Sequence, residues 1–124
     1  MSRGTAVVVI LMAGLMLASR APGLAAPKPQ LVQFVAGSAQ NEFTFTPREV
    51  TVLAGQPVAV TVTNKGKIEH DFGIEALGVK THTLIPPGKS APLEFTPTKK
   101  GSFEFVCSVA GHKEAGMKGV LIVK

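Results

Sequence analysis

Beyond the short leader Pro27-Lys28-Pro29, apolar and polar residues alternate in brief runs with the two-residue period of β-strands. Val32, Phe34 and Val35 mark the first run, and Phe43-Thr44-Phe45 the second, closed by Pro47. Val50-Thr51-Val52 forms a third and ends at Ala54-Gly55-Gln56-Pro57. Val58, Val60 and Val62 then alternate with Ala59, Thr61 and Thr63, up to a turn at Asn64-Lys65-Gly66-Lys67. His70, Phe72 and Ile74 share one parity, Leu77-Gly78 breaks it, and a weaker segment runs from Thr81 to Ile85. After the strong turn signal Pro86-Pro87-Gly88-Lys89, Leu93 and Phe95 alternate with Glu94 and Thr96. Phe103, Phe105 and Cys107 alternate with Ser102, Glu104 and Val106, and Val120 to Val123 is a closing apolar strand.

The pattern predicts seven or eight short strands at spacings of about 8–12 residues. A short helix or turn fits only between Glu75 and Lys80. An all-β fold of two antiparallel sheets, packed as a Greek-key β-sandwich, satisfies this pattern, with a small closed barrel as the alternative.

Composition agrees. The 124 residues suffice for one domain, and 13 Gly with 9 Pro suit a turn-rich β domain better than a helical bundle. A single cysteine excludes an internal disulfide framework, a four-cysteine zinc site and a Cys-x-x-Cys redox pair. The net charge of +5 comes without a Lys/Arg run or interleaved aromatics, so nucleic acid is not an expected partner.

The N-terminus reads as a targeting segment. Ser2-Arg3 is a basic start, and the 13 residues Ala6 to Ala18 are apolar. A membrane span needs roughly 20. Small residues precede a cut after Ala25, so residues 1–25 are expected to be a secretory signal peptide and residues 26–124 the domain. An uncleaved anchor is the alternative. Cleavage would leave 99 residues of net charge +3, holding one Cys, one Met and three His. An unpaired cysteine in an exported protein asks for a reason.

Strand parity points to one. Cys107 shares a face with Phe103 and Phe105, and His70 with Phe72 and Ile74, so thiol and imidazole are expected to point inward. From Cys107 the chain reads Cys-x4-His-x4-Met, with Gly111 before His112 and Gly116 before Met117. Such glycines let a loop turn sharply and aim several side chains at one point. One thiolate, two imidazoles and one thioether suit a copper ion cycling between Cu(I) and Cu(II); zinc is better served by four strong ligands. Taken singly, Cys107, Met117 and His70 would each pass for core residues. His82, between Thr81 and Thr83, reads as a surface residue.

These motifs resemble the cupredoxin family, the small blue copper proteins. The resemblance spans nearly the whole domain. It is carried by Phe103-x-Phe105-x-Cys107, the loop to Met117, the strand Gly119 to Val123, and His70 after the Asn64-Lys65-Gly66 turn. The loop length is more like that of auracyanin or rusticyanin than of plastocyanin or azurin. The resemblance implies His70, Cys107 and His112 as equatorial ligands and Met117 as the axial one. It also implies a pair behind the ligands, here Asp71 and Ser108, where many members have Asn after the first His.

The expected function is that of a soluble one-electron carrier in the periplasm or another extracytoplasmic space. Copper delivery or storage is a second reading, though one Met argues against an exchangeable Met-rich site. An enzyme is disfavoured, since a dinuclear copper loop needs two cysteines. A metal-free binding module on the same fold is a further alternative. The chain is expected to be a monomer with no stable membrane insertion after cleavage. It would dock redox proteins transiently at the His112 end, within an apolar collar of Ile68, Val109, Ala110 and Ala115. Lys99 and Lys100 precede Cys107 by some 25 Å of strand and belong to the opposite end.

Overall fold

The computed structural model describes residues 27–124, and the signal peptide expected over residues 1–25 lies outside them. Nine strands and one 3-10 turn occur among the described residues: β1 (Gln30–Ala36), β2 (Phe45–Thr46), β3 (Glu49–Val52), β4 (Val58–Asn64), β5 (Gly73–Ile74), the turn Glu75–Leu77, β6 (Val79–Lys80), β7 (Ser90–Phe95), β8 (Gly101–Val106) and β9 (Lys118–Val123). They form a four-stranded sheet in the order β2-β1-β4-β7 and a five-stranded sheet in the order β3-β9-β8-β5-β6. The expected all-β sandwich is therefore present. Both sheets are mixed, however, and not wholly antiparallel: β1 runs parallel to β4, and β3 parallel to β9. After β1 and β2 the chain leaves the first sheet to place β3 in the second, then returns as β4 in the direction of β1. Alternation fixes which face is buried but not which neighbour a strand takes.

β4 shows how sequence becomes packing. Val58, Val60, Val62 and Asn64 are buried, while Thr61 is exposed. The core between the sheets centres on four phenylalanines. Phe34 of β1 lies 4.8 Å from Phe72 and 4.9 Å from Phe105, and Phe72 lies 5.2 Å from Phe105, ring centre to ring centre. Phe45 of β2 meets Phe72 and Phe105 edge-on at 5.4 and 5.7 Å. Such aromatic pairs contribute about 0.5–1.5 kcal/mol each beyond their buried area. Phe72 follows His70 by two residues and Phe105 precedes Cys107 by two, so this cluster is the floor on which the candidate site rests.

Two segments differ from the sequence reading. The run expected at Phe43-Thr44-Phe45 becomes strand only at Phe45–Thr46, because Phe43 turns toward the site. Thr81 to Ile85 forms no strand; Ile85 makes an isolated bridge with His70, and pairing with β5 falls to Val79–Lys80.

Candidate metal centre

His70 stands just before β5 and is held by both backbone bonds of its bridge with Ile85, 2.7 and 3.2 Å long. The turn that delivers it is built around Asn64. Asn64 is fully buried, donates from Nδ2 to the carbonyls of Ile68 and Ile85 at 2.8 Å each, and accepts the Gly66 N–H at Oδ1 at 2.8 Å. Cys107 follows the last residue of β8. Its N–H donates to the Met117 carbonyl at 3.1 Å, which closes the ligand loop at its neck. Inside the loop, His112 donates to the Val109 carbonyl and accepts from the Met117 N–H, both at 3.0 Å. Gly111 and Gly116 have φ of +84° and +104°, a backbone that L side chains rarely adopt, so the glycines on either side of His112 are required by the turn.

These devices bring His70, Cys107 and His112 together, with Met117 buried at the neck of the same loop. His70 Nδ1 and His112 Nδ1 are 3.1 Å apart, and Cys107 Sγ lies 3.4 Å from His112 Nδ1 and 3.9 Å from His70 Nδ1. The circle through these three donors has a radius of about 2.0 Å, which matches metal–imidazole bonds of about 2.0–2.1 Å and is close to metal–thiolate bonds of about 2.3 Å. The donor set fits one ion. His70, Cys107 and Met117 are fully buried, and His112 retains 6% exposure.

The surroundings tune the donors. Burial pushes the Cys107 thiol up, although the Asp71 N–H points at Sγ from 3.5 Å. Burial, and then the nearby His70 ring, hold His112 below its ordinary value, so its imidazole is neutral near pH 7. Asp71 is buried; Oδ1 accepts the Ser108 N–H at 2.6 Å and Oδ2 accepts the Ser108 hydroxyl. Lys80 Nζ lies 3.3 Å from Asp71 Oδ2 and donates to Ser108 Oγ at 2.7 Å, so the extra negative charge of an Asp here has a counter-ion. Burial works to raise the Asp71 pKa, but the two Ser108 bonds and Lys80 outweigh it and leave the carboxyl below its ordinary value.

Sequence reasoning missed two residues. Glu42 places Oε1 2.8 Å from His70 Nε2, and Phe43 meets the His112 ring edge-on at 5.0 Å. Adjacent residues of the β1–β2 connection thus touch both imidazoles. No periodic signal marks Glu42, whose partner lies 28 positions along the chain. His82 is exposed and outside the cluster. Ile68, Ala110 and Ala115 are exposed and Val109 is half-buried.

Comparison with known proteins agrees with this geometry. A family model described as a cupredoxin-like domain matches residues 7–123. The copper-resistant cuproprotein CopI of Rubrivivax gelatinosus is 31% identical over 121 residues, covering 83% of this chain and 72% of that protein. Its namesake from Pseudomonas aeruginosa is 27% identical over 150 residues, covering 83% and 81%. Among solved structures, auracyanin A of Chloroflexus aurantiacus, a blue copper protein, superposes with a TM-score of 0.66 at 21% identity, over 78% of this chain and 100% of its own; that likeness is one of fold. The chain belongs to the cupredoxin family, and the cluster of His70, Cys107 and His112, with Met117 at the neck of the same loop, is arranged as a copper site.

Proposed function

We propose that this protein is a mononuclear type 1 copper protein that carries one electron at a time outside the cytoplasm. His70, Cys107 and His112 would be the equatorial ligands and Met117 the weak axial one. The observation that carries the reading is the donor triangle, held by backbone bonds at a radius suited to a metal ion. A bound copper ion supplies the one-electron chemistry; the chain supplies donors whose positions need not change between oxidation states. Three strong donors and a thioether leave no open position for a substrate, which favours a carrier over an enzyme. Among the four residues His112 alone retains exposure, at 6%, which supports the His112 end as the exit for the electron.

The two CopI relatives favour a second reading, a role in copper resistance, in which the same site would bind surplus copper. Two measurements separate them. Addition of Cu(II) to metal-free protein should give an intense visible thiolate-to-copper charge-transfer band, and Cys107→Ser should abolish it while far-UV circular dichroism stays unchanged. A band that survives in the Ser variant would refute thiolate ligation. Copper loss to a chelator should then be far slower than electron exchange with a small redox reagent. Rapid release with slow exchange would favour copper handling.

A further inference from the structure

The Glu42 carboxylate has an occupation of its own. Its two oxygens share the Lys67 N–H at 2.9 Å each, and Oε1 accepts the Ile68 N–H at 3.1 Å besides meeting His70 Nε2 at 2.8 Å. Its backbone partners are N–H donors, which suits an ionised carboxylate. The seat is shaped by glycine. A Cβ on Gly66 would fall on Glu42 Oε1, and Gly37, at φ +73°, lies so close that its own Cβ would meet Gly66 Cα at 2.8 Å. Gly66 in turn is positioned by the buried Asn64.

We infer that Glu42 is a positioning residue for the copper site: it fixes His70 with the proton on Nε2 and the lone pair on Nδ1, and its charge shifts the balance of the site towards Cu(II). A ring nitrogen facing a carboxylate carries the proton, which leaves the other nitrogen free as a metal donor and makes it more basic. A negative charge one imidazole away from the ion stabilises the more positive oxidation state more strongly. The inference rests on the type 1 copper reading and names what tunes it. Asp71 differs in this respect, since Lys80 offsets its charge. Among the described residues, the hydrogen-bond partners of Glu42 are His70 and the backbone N–H groups of Lys67 and Ile68.

The test uses Glu42→Gln and Gly66→Ala. The first removes the charge and keeps the shape. The second keeps the charge and pushes the carboxylate off its seat, at the far end of a flexible side chain that can yield. In metal-free protein, long-range 1H–15N spectra should show His70 protonated at Nε2 in the wild type and a mixture of tautomers in both variants. In copper-loaded protein, Glu42→Gln should weaken Cu(II) affinity about 10–100-fold with little change for Cu(I). That raises the reduction potential by about 59 mV per tenfold. Gly66→Ala should act in the same direction, and the double variant should show no additional shift, because both changes remove one interaction. Unchanged tautomer and potential in Glu42→Gln, or additive effects in the double variant, would overturn the inference. Wild-type protein without a charge-transfer band would refute the proposed copper function alone, since the tautomer measurement needs no copper.

Discussion

Replacing Asp71 by Ala is expected to destabilise the metal-free protein by about 2–4 kcal/mol, and replacing it by Asn by roughly 1 kcal/mol. The magnitude follows from the contacts. Asp71 accepts two hydrogen bonds from Ser108, one from the N–H at 2.6 Å and one from the hydroxyl. A hydrogen bond to a charged group contributes about 1.5–3 kcal/mol net, which sets a ceiling near 6 for the pair. The expected loss lies at and somewhat below the low end of the roughly 3–6 kcal/mol for two such bonds, because Ser108 and Lys80 are exposed and regain water once the carboxylate is gone. Asn keeps an acceptor for the Ser108 N–H and loses the charge. The assay is urea unfolding of metal-free wild type and variants, read as a shift of midpoint at constant slope. The pH dependence adds a signature. Asp71 has a lower pKa folded than the ordinary 3.8, so its contribution is whole above that value and is lost as pH falls through the folded pKa. Wild type should therefore lose stability below about pH 4 more steeply than Asp71→Asn. Because Ser108 follows Cys107, Asp71→Ala should also weaken copper binding about 10–100-fold. An Ala variant within 0.5 kcal/mol of wild type, roughly the noise of a neutral surface change, would refute this account of the loop anchor.

Three further outcomes are expected. Met117→Gln should lower the reduction potential while the site still loads copper, since a harder oxygen donor favours Cu(II); electrochemistry showing a raised potential would contradict the axial assignment. Gly119→Ala should cost about 1–3 kcal/mol in thermal unfolding. Its Cβ would strike the Phe105 ring and the Arg48 carbonyl, and that carbonyl is held by the Val120 N–H at 2.9 Å; an unchanged melting temperature would count against the tightness of this layer. Ala110→Glu, beside the His112 end, should slow electron exchange with a protein partner far more than Lys99→Glu, two residues before β8, and equal effects in stopped-flow kinetics would place the exit elsewhere.

The candidate site was legible wherever strand parity or glycine spacing carried the information. Cys107 and His70 follow the parity of Phe105 and Phe72, and all four are buried. Gly111 and Gly116 announced the turns beside His112 and Met117. Asn64 was legible only in part: it reads as a turn residue by composition, yet it is fully buried, its amide replacing backbone partners for Gly66, Ile68 and Ile85. Glu42 was illegible, because its role depends on a contact across the sandwich and not on any local period. The same holds for the sheet order. The parallel pairings β1–β4 and β3–β9 join strands far apart in sequence, and Val79–Lys80 is a strand only because β5 lies beside it.

The stiffness of the donor triangle resides in the backbone and its polar anchors more than in the ligand side chains. The donor residues are fixed from two parts of the chain, the His70 segment and the loop from Cys107 to Met117. His70 is held by its bridge to Ile85 and by the Asn64 turn, Cys107 by the neck bond to the Met117 carbonyl, and His112 by Val109 and Met117. Asp71 then ties the His70 segment to the first residue after Cys107, so the two halves of the site cannot separate without breaking that contact. Beneath them Phe72 and Phe105 stack within one core, so a shift of either strand disturbs a close-packed aromatic layer. Among the described residues every buried side-chain polar atom has a partner, which removes the usual reason for such a polar cluster to relax. On the proposed reading, a copper ion changing oxidation state inside this frame would meet donors that the fold, and not the ion, has positioned. That is the physical condition for transferring an electron with little rearrangement. It also explains why the two carboxylates touching the site, Asp71 and Glu42, sit on the backbone devices that set the triangle.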